Sequence, residues 1–461
     1  LARSHRLTHE GLRRQIEPVT VDLFMRFLPR HHGLMPDEKR SGANGVFETV
    51  AMLQGIDIPV ISWERDVLAA RVKGYQPAWL DELCLAGEVG WGRLFPSKQN
   101  PDRGRSMAGL TRIAPISLFL RSDVEWLAAF RPKNSDDDRL SGPAEEVFEL
   151  LRDQGALFAN DLALQTRMLP SQLEDALGEL VTRGLVTADG FGGLRQLIAD
   201  KSGAGSNSRR ARPGIARKRA AAGAGRWSLW RPSVPTDEES SGRGKTEPAP
   251  DGTEQWAWQL LRRWGVVFRD LLIREPGAPS WYDLLQVYRR LEARGELRGG
   301  RFISGVAGEQ FALGDTVREL RKLRDDSTKD DKPREEIVVL SGADPLNLVG
   351  ILTDHPRVPS TASNRVAYLN GKPAAALQGG EWISFRELPI ETVAFLRERF
   401  GLGGPALPKG LFAADAEFAR FQQAQAEEKP NSLEENGERG IPKKRRTEPN
   451  YPGGIPRPMI S

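Results

Sequence analysis

One spacing of hydrophobic residues recurs three times along the chain. In each copy two large apolar or aromatic residues lie three positions apart, a glycine follows four positions later, and an apolar residue comes two after the glycine. The copies are Leu80, Leu83, Gly87 and Val89; Leu177, Leu180, Gly184 and Val186; and Tyr288, Leu291, Gly295 and Leu297. This spacing places the pair on one helical face, and glycine readily takes the left-handed conformation that ends a helix. The pattern predicts three helices that each run into a β-hairpin, as the recognition helix and wing of a winged-helix domain do.

Periodic segments around each copy predict the other elements. The first unit has helices near Asp22–Leu28, Gly45–Leu53, Trp63–Ala70 and Pro77–Leu85, with strands at Val89–Phe95 and Ile113–Leu120. The second has helices at Ala144–Arg152, Ala159–Gln165 and Pro170–Thr182, with a wing at Val186–Leu197. The third has helices at Gln255–Trp264, Phe268–Arg274 and Ser280–Arg294, with a wing from Gly299 to Phe311. Four β segments follow, at Ile337–Leu340, Leu346–Leu352, Val366–Leu369 and Ala374–Leu377, with a hairpin turn at Asn370 and Gly371.

These patterns predict an α+β fold, in which tandem winged-helix domains are followed by a small β-barrel or sheet module. The expected winged-helix domains are residues 21–135, 140–200 and 251–325. A connecting helix is expected at 1–20, a basic disordered linker with a short Trp-rich strand at 201–250, a β-barrel module with a closing helix at 335–400, and a disordered tail at 401–461.

Composition limits the classes of protein that fit. The 461 residues include 66 Lys and Arg against 62 Asp and Glu, a formal net charge of +4, so a nucleic-acid face must be local. No stretch is apolar enough for a membrane span or signal core, and a cytoplasmic protein is expected. The single cysteine, Cys84, lies on the core side of a predicted helix. His31 and His32 are adjacent rather than three or four apart, so no metal site is expected.

The segment from Lys201 to Thr236 contains no acidic residue but many arginines. Such a composition cannot bury a core and is typical either of a solvated spacer or of an arm that follows phosphates. Within it, the stretch from Gly225 to Pro232 contains two tryptophans and predicts a strand that folds back on a neighbouring unit.

The outer faces of the three recognition helices differ in charge. Acidic residues are predicted on the outer face of the first helix (Asp81, Glu82) and of the second (Asp175, Glu179), which disfavours phosphate. With its apolar stripe turned inward, the third helix and its wing present a set of aromatic, amide and guanidinium side chains: Tyr282, Gln286, Arg289, Arg290, Arg294, Arg298 and Arg301. Guanidinium groups bind phosphates bidentately, and Tyr or Gln can contact a base. These seven residues form the predicted nucleic-acid-binding face, and the alternative is a solvated helix face paired with Glu292 and Glu296.

Several segments resemble the C-terminal region of the large helicase-related (Lhr) proteins and follow that family's order. They are Leu53–Gly55, Trp79–Cys84, Gly87–Val89, Leu169–Gln172, Gly225–Pro232, Trp281–Leu285, Tyr288–Glu296, Arg298–Phe302, Gly308–Leu313 and Ala343–Leu352. The resemblance implies part of a superfamily 2, ATP-dependent DNA helicase that moves 3′ to 5′, unwinds RNA–DNA hybrids and acts in DNA repair. It also implies winged-helix units followed by a β-barrel.

The chain departs from that family because it has no phosphate loop and no acidic ATPase box. No cofactor is therefore expected in this chain, and ATP and Mg²⁺ are expected only with the missing motor domains. The partners implied by the resemblance are DNA, either single-stranded or in an RNA–DNA hybrid, helicase motor domains in cis or in trans, and further copies of the chain.

The sequence is compatible with two classes of function. The first is a binding and assembly module that supplies DNA contacts to a helicase. The second is a DNA glycosylase acting on uracil or an alkylated base, because similar winged-helix repair enzymes use Gln-x-Gln or Gln-x-Asp motifs. Gln15-Ile16-Glu17 resembles the latter, and the chemistry requires its carboxylate near the sugar carbon inside a cleft. No catalytic residue is assigned, and the sequence leaves enzyme activity open.

Overall fold

The computed structural model describes residues 17–96, 113–131, 140–199, 225–230, 252–329 and 335–402. The predicted connecting helix at 1–20, apart from its last residues, and the predicted tail, apart from residues 401 and 402, lie outside these ranges.

The first described helix, α1 (Val21–His31), packs against a distant part of the chain. Thr20 caps it by accepting a hydrogen bond from the backbone N–H of Leu23 at 3.3 Å. Its apolar face, with Phe24 and Leu28, lies in the same hydrophobic core as the third unit. A parallel bridge between Val19 and Ile303 fixes the residues that precede it.

The first unit (residues 40–131) has the helix and strand order of a winged helix. Its elements are β1 (Arg40–Ser41), α2 (Gly42–Leu53), β2 (Ile58–Pro59), α3 (Val60–Ser62 and Ala69–Arg71, joined by a π-helical segment at Trp63–Leu68), β3 (Val72–Lys73), α4 (Pro77–Leu85), β4 (Val89–Gly92), β5 (Pro115–Leu120) and α5 (Val124–Ala129). Strand β5 lies between β2 and β4, and β1 pairs with β3. Cys84 is buried as predicted, and burial raises the pKa of its thiol to about 12.

The second unit (residues 140–230) has the same order of helices and of sheet strands, except that it lacks a counterpart of the β1–β3 pair and has a helix between its last two strands. Its elements are α6 (Gly142–Gln154), β6 (Leu157–Phe158), α7 (Ala159–Thr166), α8 (Pro170–Thr182), β7 (Val186–Ala188), α9 (Gly192–Ala199) and β8 (Arg226–Leu229). The predicted wing at Val186–Leu197 is wrong, because α9 replaces its second half. Phe191, Leu194 and Leu197 are spaced by three and all lie in the core, a pattern that a helix satisfies.

The predicted Trp-rich strand is present as β8, and it occupies the centre of the second unit's sheet. The strand order is β6-β8-β7, and Trp227 is buried against Trp91 with ring centroids 5.9 Å apart. Residues 200–225 therefore connect two elements of one unit. The basic part of this stretch, which the structure does not describe, is an insertion within the second unit rather than a linker between units.

The third unit (residues 252–329) has the predicted wing and the predicted first and last helices before it, whereas the segment predicted as a helix at Phe268–Arg274 is a 3-10 helix and the helix after the wing was not predicted. Its elements are α10 (Thr253–Trp264), β9 (Val266–Val267), a 3-10 turn at Arg269–Arg274, α11 (Trp281–Ala293), β10 (Arg298–Gly300), β11 (Gln310–Ala312) and α12 (Gly314–Lys329). The strand order β10-β11-β9 matches that of the other two units in placing the last strand at the centre.

The last module (residues 335–402) is a meander with one helix. It consists of β12 (Ile337–Ser341), β13 (Arg365–Leu369), β14 (Lys372–Gln378), β15 (Glu381–Ser384) and α13 (Ile390–Arg399). Asn370 and Gly371 both have positive φ, as the predicted hairpin turn requires. The predicted β-barrel is wrong, because β12 and β15 do not pair and the sheet stays open within the described residues.

The strand predicted at Leu346–Leu352 is also absent. Leu346, Leu348 and Val349 are buried in a looped segment. The side chain of Asn347 holds this segment by donating to the carbonyls of Gly342 and Val358 at 2.9 and 3.0 Å. A run of buried residues therefore reflects tertiary packing here and not strand pairing. No helix in the described ranges is both long and apolar enough to cross a membrane.

Candidate nucleic-acid interface

Helix α11 is anchored from its inner face, as the sequence predicted. Ser280 caps its N-terminus and accepts a hydrogen bond from the backbone N–H of Asp283 at 3.3 Å. Leu284, Tyr288 and Leu291 are fully buried. The Tyr288 ring stacks on Phe311 of β11 with centroids 5.0 Å apart, and its hydroxyl donates to the carbonyl of Ala257 at 3.1 Å. Helix and wing are therefore held in one fixed orientation.

All seven predicted binding residues are exposed to solvent. Five lie on α11 or directly after it, one begins β10 and one follows that strand: Tyr282, Gln286, Arg289, Arg290, Arg294, Arg298 and Arg301. The Tyr282 side chain is 70% exposed, which is high for an aromatic residue and leaves its ring accessible for stacking. The structure thus brings the predicted set onto one helix and its wing.

The seven residues differ in their ion pairs. Arg289 pairs with Glu309 of the wing at 2.8 Å, and Arg294 pairs with Glu254 and Glu296 at 3.0 and 2.6 Å. Within the part of the chain that the structure describes, Arg290, Arg298 and Arg301 form no ion pair. These three guanidinium groups can therefore meet phosphates without first breaking an internal contact.

Glu292, predicted to pair with this face, is buried and accepts a hydrogen bond from the backbone N–H of Gly299 at 3.2 Å. It thus holds the turn between α11 and β10. The carboxylate therefore supports the wing from inside.

One residue of the wing was given no role by the sequence. The fully buried side chain of Gln310 accepts hydrogen bonds from the backbone N–H groups of Phe302 and Ile303, both at 2.8 Å, and donates to the carbonyl of Ile303 at 2.9 Å. It closes the loop that carries Arg301. The only signal for it in the sequence is an amide residue directly before two apolar strand residues.

The corresponding helices of the other two units carry fewer accessible charges. On α4, Asp81 is bound by Arg195 of α9 at 2.8 Å. On α8, the prediction that Glu179 faces outward is wrong, because this residue is buried. Its carboxylate accepts a hydrogen bond from the hydroxyl of Ser141 and forms an ion pair with Arg183. Both carboxylates serve packing contacts, so α11 remains the helix whose outer face is mainly cationic.

The motif that suggested a glycosylase, Gln15-Ile16-Glu17, lies only in part within the described residues. Gln15 and Ile16 lie outside the described residues. The side chain of Glu17 is 82% exposed and pairs with Arg324 at 2.8 Å. Among the described residues, the Glu17 carboxylate is therefore exposed and not enclosed in a cleft.

The two adjacent histidines join α1 to α10. Nε2 of His31 and of His32 lie 2.7 and 2.8 Å from the carbonyl oxygens of Arg262 and Arg263. Burial lowers the pKa of both imidazoles, and it places that of His32 well below its usual range. Among the described residues no group of three or more His, Cys, Asp or Glu side chains could hold a metal ion.

Comparison with known proteins finds a family whose winged-helix domains match two parts of the chain. Residues 19–107 and 246–332 match the models of the third and fourth large helicase-related protein winged-helix domains. The chain is 30% identical over 378 residues to the Lhr helicase/probable uracil glycosylase of Mycolicibacterium smegmatis, and 29% identical over 388 residues to the Lhr helicase/uracil glycosylase of Escherichia coli. These alignments cover 80% and 76% of this chain but only 23% of each relative. The chain therefore contains two winged-helix domains that match those of the large helicase-related family, and it spans about a quarter of the length of the two relatives.

Proposed function

We propose that the chain binds nucleic acid through the outer face of α11 and the β10–β11 wing. The observation that carries this proposal is the set of three exposed guanidinium groups, on Arg290, Arg298 and Arg301, which have no ion pair within the described ranges. A rigid helix with an adjoining cationic wing fits the docking geometry of winged-helix proteins, in which phosphate contacts position the protein. Tyr282 and Gln286 then lie where they can contact bases.

In this proposal the chain is the nucleic-acid-binding and assembly part of an Lhr-type helicase that moves 3′ to 5′ and acts in DNA repair. The similarity to two proteins whose names include Lhr helicase supports that context. Motor domains that use ATP and Mg²⁺ would act with it, on the same polypeptide or on another. Single-stranded DNA or an RNA–DNA hybrid is the proposed ligand.

Replacing Arg290 and Arg298 together with alanine tests the interface. We expect weaker binding to a 20-nucleotide single strand in fluorescence anisotropy, and a decrease of about 0.7 in the slope of log affinity against log salt for each lost phosphate contact. The melting temperature should stay nearly constant, because exposed guanidinium groups contribute little to stability.

The matched control is Arg318→Ala/Lys322→Ala, which removes two cations from α12 of the same unit. It should leave affinity and salt slope unchanged. Equal effects of the two double variants would mean that only the net charge of the unit matters, and an unchanged affinity in both would exclude α11 as the interface.

A glycosylase is the second candidate, favoured because both relatives carry uracil glycosylase in their names. If this chain has that activity, it should release uracil from single-stranded DNA and leave an alkali-labile site. Loss of cleavage in Glu17→Ala, but not in Glu82→Ala, would assign the chemistry to the Gln15–Glu17 motif. Absence of any abasic product with the full chain would exclude this candidate.

A further inference from the structure

A groove of about 440 Å³ lies between α3 of the first unit, strand β12 and helix α13. All five residues of β12 line it. This strand pairs with β13 on one side and has no strand neighbour on the other within the described residues. Alternate residues of an antiparallel strand direct their N–H and C=O groups to opposite edges, so the unpaired edge can hydrogen bond with an added extended segment.

The rim of this groove is positively charged. It contains the cations Lys39, Arg65, Arg365 and Arg399 and the single acid Asp66. That carboxylate is already bound by Arg65 at 2.7 Å and by Arg365 at 3.4 Å. Lys39 and Arg399 form no ion pair among the residues that the structure covers. An anionic ligand therefore finds two uncompensated cations at the rim.

The floor of the groove is apolar. Ile337 and Val339 of β12 line it together with Ala69 and Ala70 of α3, and the Phe395 side chain is 39% exposed at its side. The guanidinium of Arg399 lies over the Phe395 ring, 5.2 Å from its centroid. Because this cation covers one face of the ring, base stacking is disfavoured, and the floor is better suited to aliphatic side chains.

The groove combines an unpaired strand edge, a cationic rim and an apolar floor, and together these features favour one class of ligand. We propose that this groove binds an extended peptide of a partner protein, in which acidic and aliphatic residues alternate, by strand addition to β12. Its aliphatic side chains would cover Ile337 and Val339, and its carboxylates would pair with Lys39 and Arg399. The site is separate from α11, so it does not depend on the proposed nucleic-acid interface.

The test measures binding of a fluorescein-labelled octapeptide of alternating Asp and Val to the full chain. We expect the affinity to fall about tenfold in Lys39→Glu/Arg399→Glu, because two attractive charges become repulsive. The control Arg386→Glu reverses an exposed cation that does not line the groove and should change affinity less than about twofold. Backbone N-methylation at alternate residues should abolish binding in one of the two possible patterns and not in the other.

Three results would overturn the proposal. The first is a peptide affinity that does not change in Lys39→Glu/Arg399→Glu. The second is an equal loss of peptide affinity with both N-methylation patterns. The third is a loss of affinity for a 12-nucleotide oligothymidine in Lys39→Glu/Arg399→Glu without a loss of peptide affinity. The last result would make the groove a nucleic-acid surface. Arg290→Ala/Arg298→Ala should retain full peptide affinity, so failure of the α11 interface and failure of this site are distinguishable.

Discussion

At the scale of single residues, His32 shows how burial constrains protonation. Its side chain is fully buried, its Nε2 contacts the carbonyl of Arg263, and its Nδ1 has no hydrogen-bond partner in the described structure. Desolvation is the main cause of its lowered pKa, and the nearby charges of Arg71, His31 and Arg40 add to it. The folded protein therefore keeps this imidazole neutral.

This burial predicts a loss of stability in mild acid. Histidines of the unfolded chain titrate near pH 6.5, whereas His32 in the folded chain titrates lower, so stability is complete above about pH 6.5 and declines as the pH falls. The decline should reach at most about 1.4 kcal/mol per pH unit for one histidine. Urea unfolding of the wild type at pH 5.5 and 7.5 measures the difference.

The variant His32→Gln keeps an N–H donor for the Arg263 carbonyl but cannot titrate. It should show a smaller difference between the two pH values than the wild type. An identical difference would place the titrating group elsewhere, with His31 as the next candidate because burial also lowers its pKa.

At the scale of elements, β8 determines how the basic insertion behaves. The strand pairs with β6 on one side and β7 on the other, and Trp227 fills the core between them. If the chain is cut between α9 and β8, the two fragments are no longer linked covalently, but their strands remain paired in one sheet.

Trypsin should cut first in the Arg-rich stretch between Lys201 and Arg219, where the sequence offers seven cationic residues and no acid. We expect the two products to co-elute as one species in size-exclusion chromatography and to separate only in denaturant. Trp227→Ala should weaken this association, because removal of a large core side chain costs about 3 to 5 kcal/mol. Separation of the nicked wild type in native buffer would contradict the central position of β8.

The elements themselves follow from local spacing more readily than their pairing does. The inward face of α11 was predictable because Leu284, Tyr288 and Leu291 repeat with the helical period, and the turn at Asn370 and Gly371 because few residues adopt positive φ. The central position of β8 in its sheet was not predictable from local spacing, because the strand that contains Trp227 pairs with β7, from which a long insertion separates it. The open sheet and the buried position of Glu179 likewise depend on contacts between distant residues.

At the scale of the whole molecule, Asp344 joins three modules. Its carboxylate accepts two hydrogen bonds from Arg71 of α3, at 2.7 and 2.9 Å, and its backbone carbonyl accepts one from Arg274 of the third unit at 2.9 Å. Arg71 is fully buried and Asp344 nearly so. First unit, third unit and C-terminal sheet are thus held together through one residue.

Asp344→Asn should destabilise the protein by about 3 to 5 kcal/mol, because it leaves the Arg71 charge buried without a counter-ion. Chemical denaturation followed by tryptophan fluorescence measures the loss. The control Asp315→Asn removes an exposed ion pair with Arg318 and should cost less than about 1 kcal/mol. A double variant, Arg71→Met/Asp344→Leu, should recover much of the stability, and failure of Asp344→Asn to exceed the control would refute this account.

The packing of α1 on the third unit also has a consequence for biosynthesis. His31 contacts the backbone of Arg262, 231 residues later in the chain. At a translation rate of about 5 to 20 residues per second, α1 waits roughly 10 to 50 s after synthesis before α10 exists. During that interval Phe24, Phe27 and Leu28 have no native surface to cover them. The nascent chain therefore exposes the apolar face of α1 to solvent until α10 has been synthesised and can pack against it.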